Sequence, residues 1–558
     1  MALSTTCQGA HTTPSPSGHY LASIPPGTNK LRIHTTHAPD RCTDVSLRIS
    51  AKDITGLQWN SESNRIVVAS AKLIEVIDLD DADHRIRLDN GSGGFGRFAN
   101  AEFVGSELLL VVWEFGKAKL WDLTTGKGVD LADVKGSCAG ARWQLRPGRE
   151  GRTGTLALLS RIGAEDVLNL YLPATQKLVG AVKLPTVDAQ SIAWSPNGRW
   201  IGVLDVGTAS RGVHFLTPDG NLYRSYPAAK ESETLGLGIK AIVWAQNSQL
   251  VALTRFDGSI VLLNTRTFAP RAVIEHTTTI DQRANTSSEL QAPIWEETVP
   301  ASGERSYAVV PQPFSPPLSR TKTTTEPAEL GIAEATFSCD GSWLATRDER
   351  MLNTVWIWNM ATLNAHAVLV QHSNVRKLHW HPTRPDELLL DCGEGIAHFF
   401  SPISSNPPTI IPASISPTAT LSYLHSPFDS NPAVLATTKS IFRILHPSGQ
   451  LEDPPTPPPH REPASSSSSN PAKAAAEAEA SFISGASEDS LFDVLSGRKP
   501  LPPKTDQSYT ERIDFEVETE EDTSTGVDDT FREKRTNTTK PQQVERGVVD
   551  WEDDSEIF

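Results

Sequence analysis

The chain has 558 residues, 38% of them hydrophobic, and a formal charge of −16. The charge is uneven: from residue 451 onward 25 acidic residues face 11 basic ones, a net of −14, leaving −2 for residues 1–450. Neither part has the basic footprint of a general nucleic-acid binder. No apolar run, Leu108–Trp113 included, is long enough to cross a bilayer as a helix.

The N-terminus, MALSTTCQGAHTTPSPSG, has no basic stretch followed by an apolar core, so no secretory signal is expected. Cys7, Cys42, Cys138, Cys339 and Cys392 are far apart, odd in number and contain no CxxC spacing. That argues against a zinc site and a disulfide framework, and for a reducing compartment. A soluble intracellular protein without membrane contact is expected.

In chain order, one unit recurs. It opens weakly at Pro14–Ser23, followed by LRIHTT. It returns at Ile54–Ser70, at Arg97–Trp113 and, with a basic loop inside, from Cys138. Its clearest copy is Gln190–Asp205, QSIAWSPNGRWIGVLD: an apolar strand, a Ser-Pro-Asn-Gly turn and a second apolar strand. Further copies begin at Ile239, Ile332, Val375 and Leu421. Anchors at Trp59, Phe103, Trp143, Trp194, Trp244, Phe337, Trp380 and Leu424 recur roughly every 40 to 50 residues, apart from one long gap, which is the period of a four-stranded propeller blade. Helical periodicity is nearly absent before residue 450. The pattern predicts an all-β, WD-repeat β-propeller over residues 1–450, a single toroid of seven to nine blades, because stacked blades bury faces that a lone sheet leaves wet.

The period fails twice. Residues 268–329 are rich in Thr, Ser and Pro, and read as a flexible insertion leaving the sixth unit. Residues 451–558 pass from Pro/Ser-rich linker to acidic segment and read as a disordered tail, with one Ala/Glu-rich stretch able to form a short helix. Aromatic residues in such segments have no core of their own to fill. Trp295, Tyr307 and Phe314 in the insertion, and Trp551 and Phe558 in the tail, are therefore the candidate partner-binding residues. Ser315-Pro316 and Thr456-Pro457 are candidate phosphorylation sites.

Other motifs read as structural. Trp121-Asp122 is an intact WD dipeptide, with variants at Ile77-Asp78 and Trp358-Asn359; the aromatic suits interblade packing and the Asp or Asn suits bonding to turn amides. His379 and His381 flank Trp380 on one strand face with no third ligand at a recognised spacing. Gly91–Gly96 sits between units as a flexible loop. Nucleophile-elbow, P-loop, zinc-protease and dinucleotide fingerprints are missing. No enzyme activity, catalytic residue, cofactor or metal is expected.

The segments LGLGIKAIVW (235–244), LGIAEATFSCDGSWLATRDERMLNTVWIWNM and VRKLHWHP, with a SYAVVPQPF stretch between units six and seven, resemble the family of spindle-pole and centrosomal WD-repeat proteins that anchor microtubule minus ends. The resemblance covers roughly 14–446 and leaves out the tail. It implies a non-enzymatic adaptor at the spindle pole body or centrosome, working with a coiled-coil anchoring protein and, in fungi, a minus-end-directed kinesin. The alternative reading is a propeller scaffold of translation initiation or other RNA-associated assemblies. A hydrolytic propeller is a third.

Overall fold

A computed structural model describes residues 2–81, 85–90, 95–136, 138–148, 154–205, 212–227, 238–281, 292–318, 330–424 and 433–446. The chain divides into two compact units, Met1–Pro459 and His460–Phe558. The second lies outside the described residues, as do Trp551, Phe558, the 91–94 glycines and Thr456-Pro457.

The clearest sequence unit is a blade. Strands Ala189–Trp194, Ile201–Asp205, Val213–Leu216 and Leu222–Tyr226 pair antiparallel in that order. Trp194 faces Ile201 across the first turn. In that turn the Gly198 N–H donates to the Ser195 carbonyl at 2.8 Å, and Gly198 takes φ 66°, the left-handed conformation glycine adopts without steric penalty. Among the described residues nine such sheets follow one another, at 10–46, 54–89, 98–130, 143–183, 189–226, 239–275, 332–370, 377–412 and 420–446, and are numbered blades 1 to 9. They match the nine sequence units in order.

The core is distributed between blades. Each of nine buried apolar clusters joins two consecutive blades: Leu168 and Leu170 of blade 4 meet Ile192 and Trp194 of blade 5, and Phe215 of blade 5 meets Val251 and Leu263 of blade 6. The ninth closes the ring, packing Leu21 of blade 1 with Leu435, Phe442 and Ile444 of blade 9. The His34 ring stands edge-on to Phe442 at 5.0 Å across the same seam. Among the described residues, blade 9 has three strands of its own, Thr420–Tyr423, Val434–Thr437 and Ile441–His446. Ala2–Leu3 and Cys7–Gln8 pair with the last of these as its outer strand. The chain's first and last described segments thus lock one ring of nine blades.

The sequence anchors work as ties across these interfaces. The indole N–H of Trp59 donates to Thr13 O at 3.1 Å, that of Trp194 to Gln144 O at 3.2 Å, and that of Trp380 to Thr336 O at 2.9 Å, in each case to the first strand of the preceding blade. Trp143 donates instead to the Glu102 carboxylate at 2.9 Å. An indole so placed, buried at Trp59, Trp194 and Trp380, fills the interface and satisfies its one polar atom.

The insertion, read in the sequence as flexible, carries regular strands among its described residues. Pro270–Glu275 is the outer strand of blade 6. Ile294–Thr298 and Ser306–Val310 form a hairpin, whose first strand pairs parallel with Asn364–Val370 and extends blade 7 to six strands. A parallel addition joins segments distant in sequence, so no local hairpin signal connects Trp295 to its partner Leu369.

Candidate partner-binding site

The hairpin on blade 7 carries Trp295 and Tyr307, and Phe314 follows it; each is fixed against the ring. Trp295 packs half-buried on the cluster between blades 7 and 8, and Phe314 on the cluster between blades 6 and 7. Phe314 is held there by backbone bonds in both directions with Ile280, at 2.7 and 3.0 Å. Tyr307 turns its hydroxyl inward, donating to Gln371 Oε1 at 2.6 Å, with His398 Nδ1 2.9 Å from the same oxygen. The large apolar side chains left open by this region are Val309 and Leu318, 56% and 57% exposed.

Under the hairpin lies a charged cluster that the aromatic pattern does not announce. Glu297 sits two residues from Trp295, hence on the same strand face, and is buried. Its Oε1 accepts from Arg305 Nη1 at 2.9 Å and its Oε2 from the His372 backbone N–H at 2.9 Å. Arg305 Nη1 also donates to Glu394 Oε2 of blade 8 at 2.7 Å, and Ser373 donates to the other Glu394 oxygen. Burial works against the Arg305 charge, yet the two carboxylates outweigh it and raise its pKa. Burial likewise opposes the Glu394 carboxylate, but Arg305 and Ser373 hold it below the usual range. One guanidinium thus bridges two carboxylates and staples the hairpin to the next blade. A Trp-x-Glu alternation followed by Arg was the sequence signal for it.

The other motifs serve the fold. Asp122 Oδ1 accepts the N–H groups of Thr124 and Thr125 at 2.8 and 3.1 Å, and Asn359 Oδ1 those of Ala361 and Thr362 at 2.8 and 3.2 Å. Asp78 accepts from Asp80 N–H at 3.0 Å. The Trp358 indole donates to the Thr346 hydroxyl at 2.8 Å. His381 is buried, with its Nδ1 accepting from Arg384 N–H at 2.9 Å, so it shapes the turn after its strand. Among the described residues no group of three or more His, Cys, Asp and Glu could hold a metal ion, and no helix is long and apolar enough to cross a membrane. A cavity of about 410 Å³ between the first strands of blades 2 and 3 is lined by Thr55, Gln58, Phe98 and Glu102, the last already engaged by Trp143.

Closed blades, interblade indoles and a turn-capping Trp121-Asp122 dipeptide with its Asp78 and Asn359 variants give this chain the fold of a WD-repeat β-propeller. No family model matches it. It is 27% identical over 407 residues to mouse WD repeat-containing protein WRAP73, a match covering 70% of this chain and 84% of the relative. It is 27% identical over 331 residues to an uncharacterized WD repeat-containing protein of Schizosaccharomyces pombe, covering 59% of this chain and 64% of that one, just under two thirds of its length. Among solved structures it is similar to the C-terminal WD40 domain of Sif2, at 10% identity and a TM-score of 0.40, over 70% of this chain and 95% of that domain.

Proposed function

We propose that this chain is a non-enzymatic adaptor that helps anchor microtubule minus ends at the spindle pole body or centrosome and supports spindle assembly. The observation that carries the reading is the resemblance of its repeats at 239–254 and 332–400 to the minus-end anchoring family. The match to WRAP73 along 84% of that relative supports only the WD-repeat part of the reading. The physical basis is a ring that offers separate binding surfaces on different blades. Two partners held on one rigid body each see the other at a raised effective concentration. The proposed partners are a coiled-coil anchoring protein and a minus-end-directed kinesin. Affinity purification of the tagged chain from mitotic cells tests the reading. Co-purification of both partner classes is expected. Recovery of ribosomal subunits or initiation factors in their place would instead support the RNA-associated alternative.

A further inference from the structure

The outer strands of blades 4, 5 and 6 form a rim unlike the rest of the ring. Blade 4 exposes Leu178 and Val179 (51% and 61%), blade 5 exposes Leu222 and Tyr223 (49% each), and blade 6 exposes Val273 (51%). The three edges are continuous. A Cβ on Gly220 of blade 5 would stand 2.6 Å from Val182 of blade 4, and Tyr223 donates its hydroxyl to Arg266 O of blade 6 at 3.1 Å.

The same rim is basic. Residues 172–183, 217–226 and 264–275, which are these outer strands and the turns entering them, carry five cationic side chains (Lys177, Lys183, Arg224, Arg266 and Arg271) against two anionic ones, a net of +3. In the corresponding segments of blades 1 to 3, 36–46, 79–89 and 123–130, the described residues carry six anionic side chains against four cationic. Those of blades 7 and 8, 360–370 and 401–412, carry no Asp, Glu, Lys or Arg. Apolar exposure and positive charge therefore coincide on one third of the circumference.

Edge geometry selects the kind of occupant. Each of the three outer strands has a β-bulge at the same place, with Val179, Tyr223 and Arg271 as the extra residue. A bulge interrupts the row of backbone donors and acceptors that an added strand needs. An added strand would also run along one edge and leave the other two blades untouched. A helix laid across the edges reaches apolar side chains on all three.

We propose that the rim of blades 4 to 6 is a docking surface for an acidic amphipathic helix of a partner protein, its apolar stripe on Val179, Tyr223 and Val273 and its carboxylates on Lys177 and Arg271. The proposal rests on the rim alone and is independent of where the protein acts in the cell.

The probe is a synthetic helical peptide with Leu along one face and Glu on both flanks, read by fluorescence anisotropy against the full chain. Binding is expected, with affinity falling at least about tenfold in Val179→Glu and Val273→Glu and on raising salt from about 0.05 to about 0.5 M. Ile403→Glu, at a 72% exposed residue of blade 8, should leave binding unchanged. Equal binding of a Lys-flanked peptide, unchanged affinity in both rim variants with wild-type melting temperature, or preference for an extended β-strand peptide would each overturn the proposal.

Discussion

The imidazole Nε2 of His276 and the hydroxyl of Thr346 stand 2.7 Å apart across the interface of blades 6 and 7. The same hydroxyl accepts the Trp358 indole N–H, which leaves its own proton to donate to His276. A neutral imidazole can accept that proton. Burial lowers the His276 pKa from 6.5 to about 3. Below pH 6.5 the unfolded chain takes up a proton that the folded ring refuses, so stability present at neutral pH is lost as pH falls toward 3. The loss from this group is about 2 kcal/mol at pH 5. Burial also lowers His34, His214, His379 and His398, adding in the same direction. Thermal melts at pH 7.5 and pH 5 should show a lower midpoint in acid, with a smaller difference in His276→Gln. Equal midpoints for the wild type would contradict this reading.

Ser248 occupies the turn position that Gly198 fills in blade 5, and at φ 56° it bears a left-handed conformation as a non-glycine. Its hydroxyl accepts the Asn197 N–H of the preceding blade at 3.1 Å; Ser63 does the same for Ser17 N–H at 2.9 Å. The interblade bond offsets the backbone cost. Ser248→Ala should therefore destabilise by about 1–2 kcal/mol, since it keeps the strained backbone and loses the acceptor. Ser248→Gly should be nearly neutral, losing the bond and relieving the backbone. Denaturation midpoints that rank Ala above Gly would refute the offset.

Arg305 is the sole cation bonded to the Glu297 carboxylate among the described residues. Arg305→Ala should leave a buried charge uncompensated, a loss of about 3–5 kcal/mol at that site. The expected readout is local: faster amide exchange and protease cleavage at 292–318, with the other blades unchanged. Pairing the change with Glu297→Gln should recover part of the protection. Unaltered exchange in Arg305→Ala would show that the hairpin docks without the staple.

Deleting residues 2–8 removes the outer strand of blade 9 and bares the backbone of Ile441–His446. The variant should melt lower and associate with increasing concentration, because an uncovered edge pairs with other chains. Light scattering across a dilution series distinguishes this from a monomer with wild-type melting behaviour.

Inner and outer strands were not equally legible in the sequence. The first two strands of each blade announce themselves, because both lie between packed blades and share a turn such as Ser195–Gly198. The fourth strands do not: Lys177–Lys183 is mostly exposed and has neither a buried run nor a clean alternation. Ring closure was equally silent, since Ala2–Leu3 and Cys7–Gln8 are two residues each and pair with residues more than 400 positions away. At the candidate site, Trp295, Tyr307 and Phe314 stood out as aromatic islands. Their seats depend on the parallel pairing of Trp295 with Leu369, on Gln371 and His398 around Tyr307, and on Ile280 beside Phe314, none of which lies near them in sequence.

The central functional claim is tested most directly by live imaging of the chain, fluorescently tagged at its own locus, through mitosis. The account predicts a focus at each spindle pole, with minus ends protruding or detaching there after deletion. Diffuse signal at every stage, with normal spindles in the deletion strain, would contradict it.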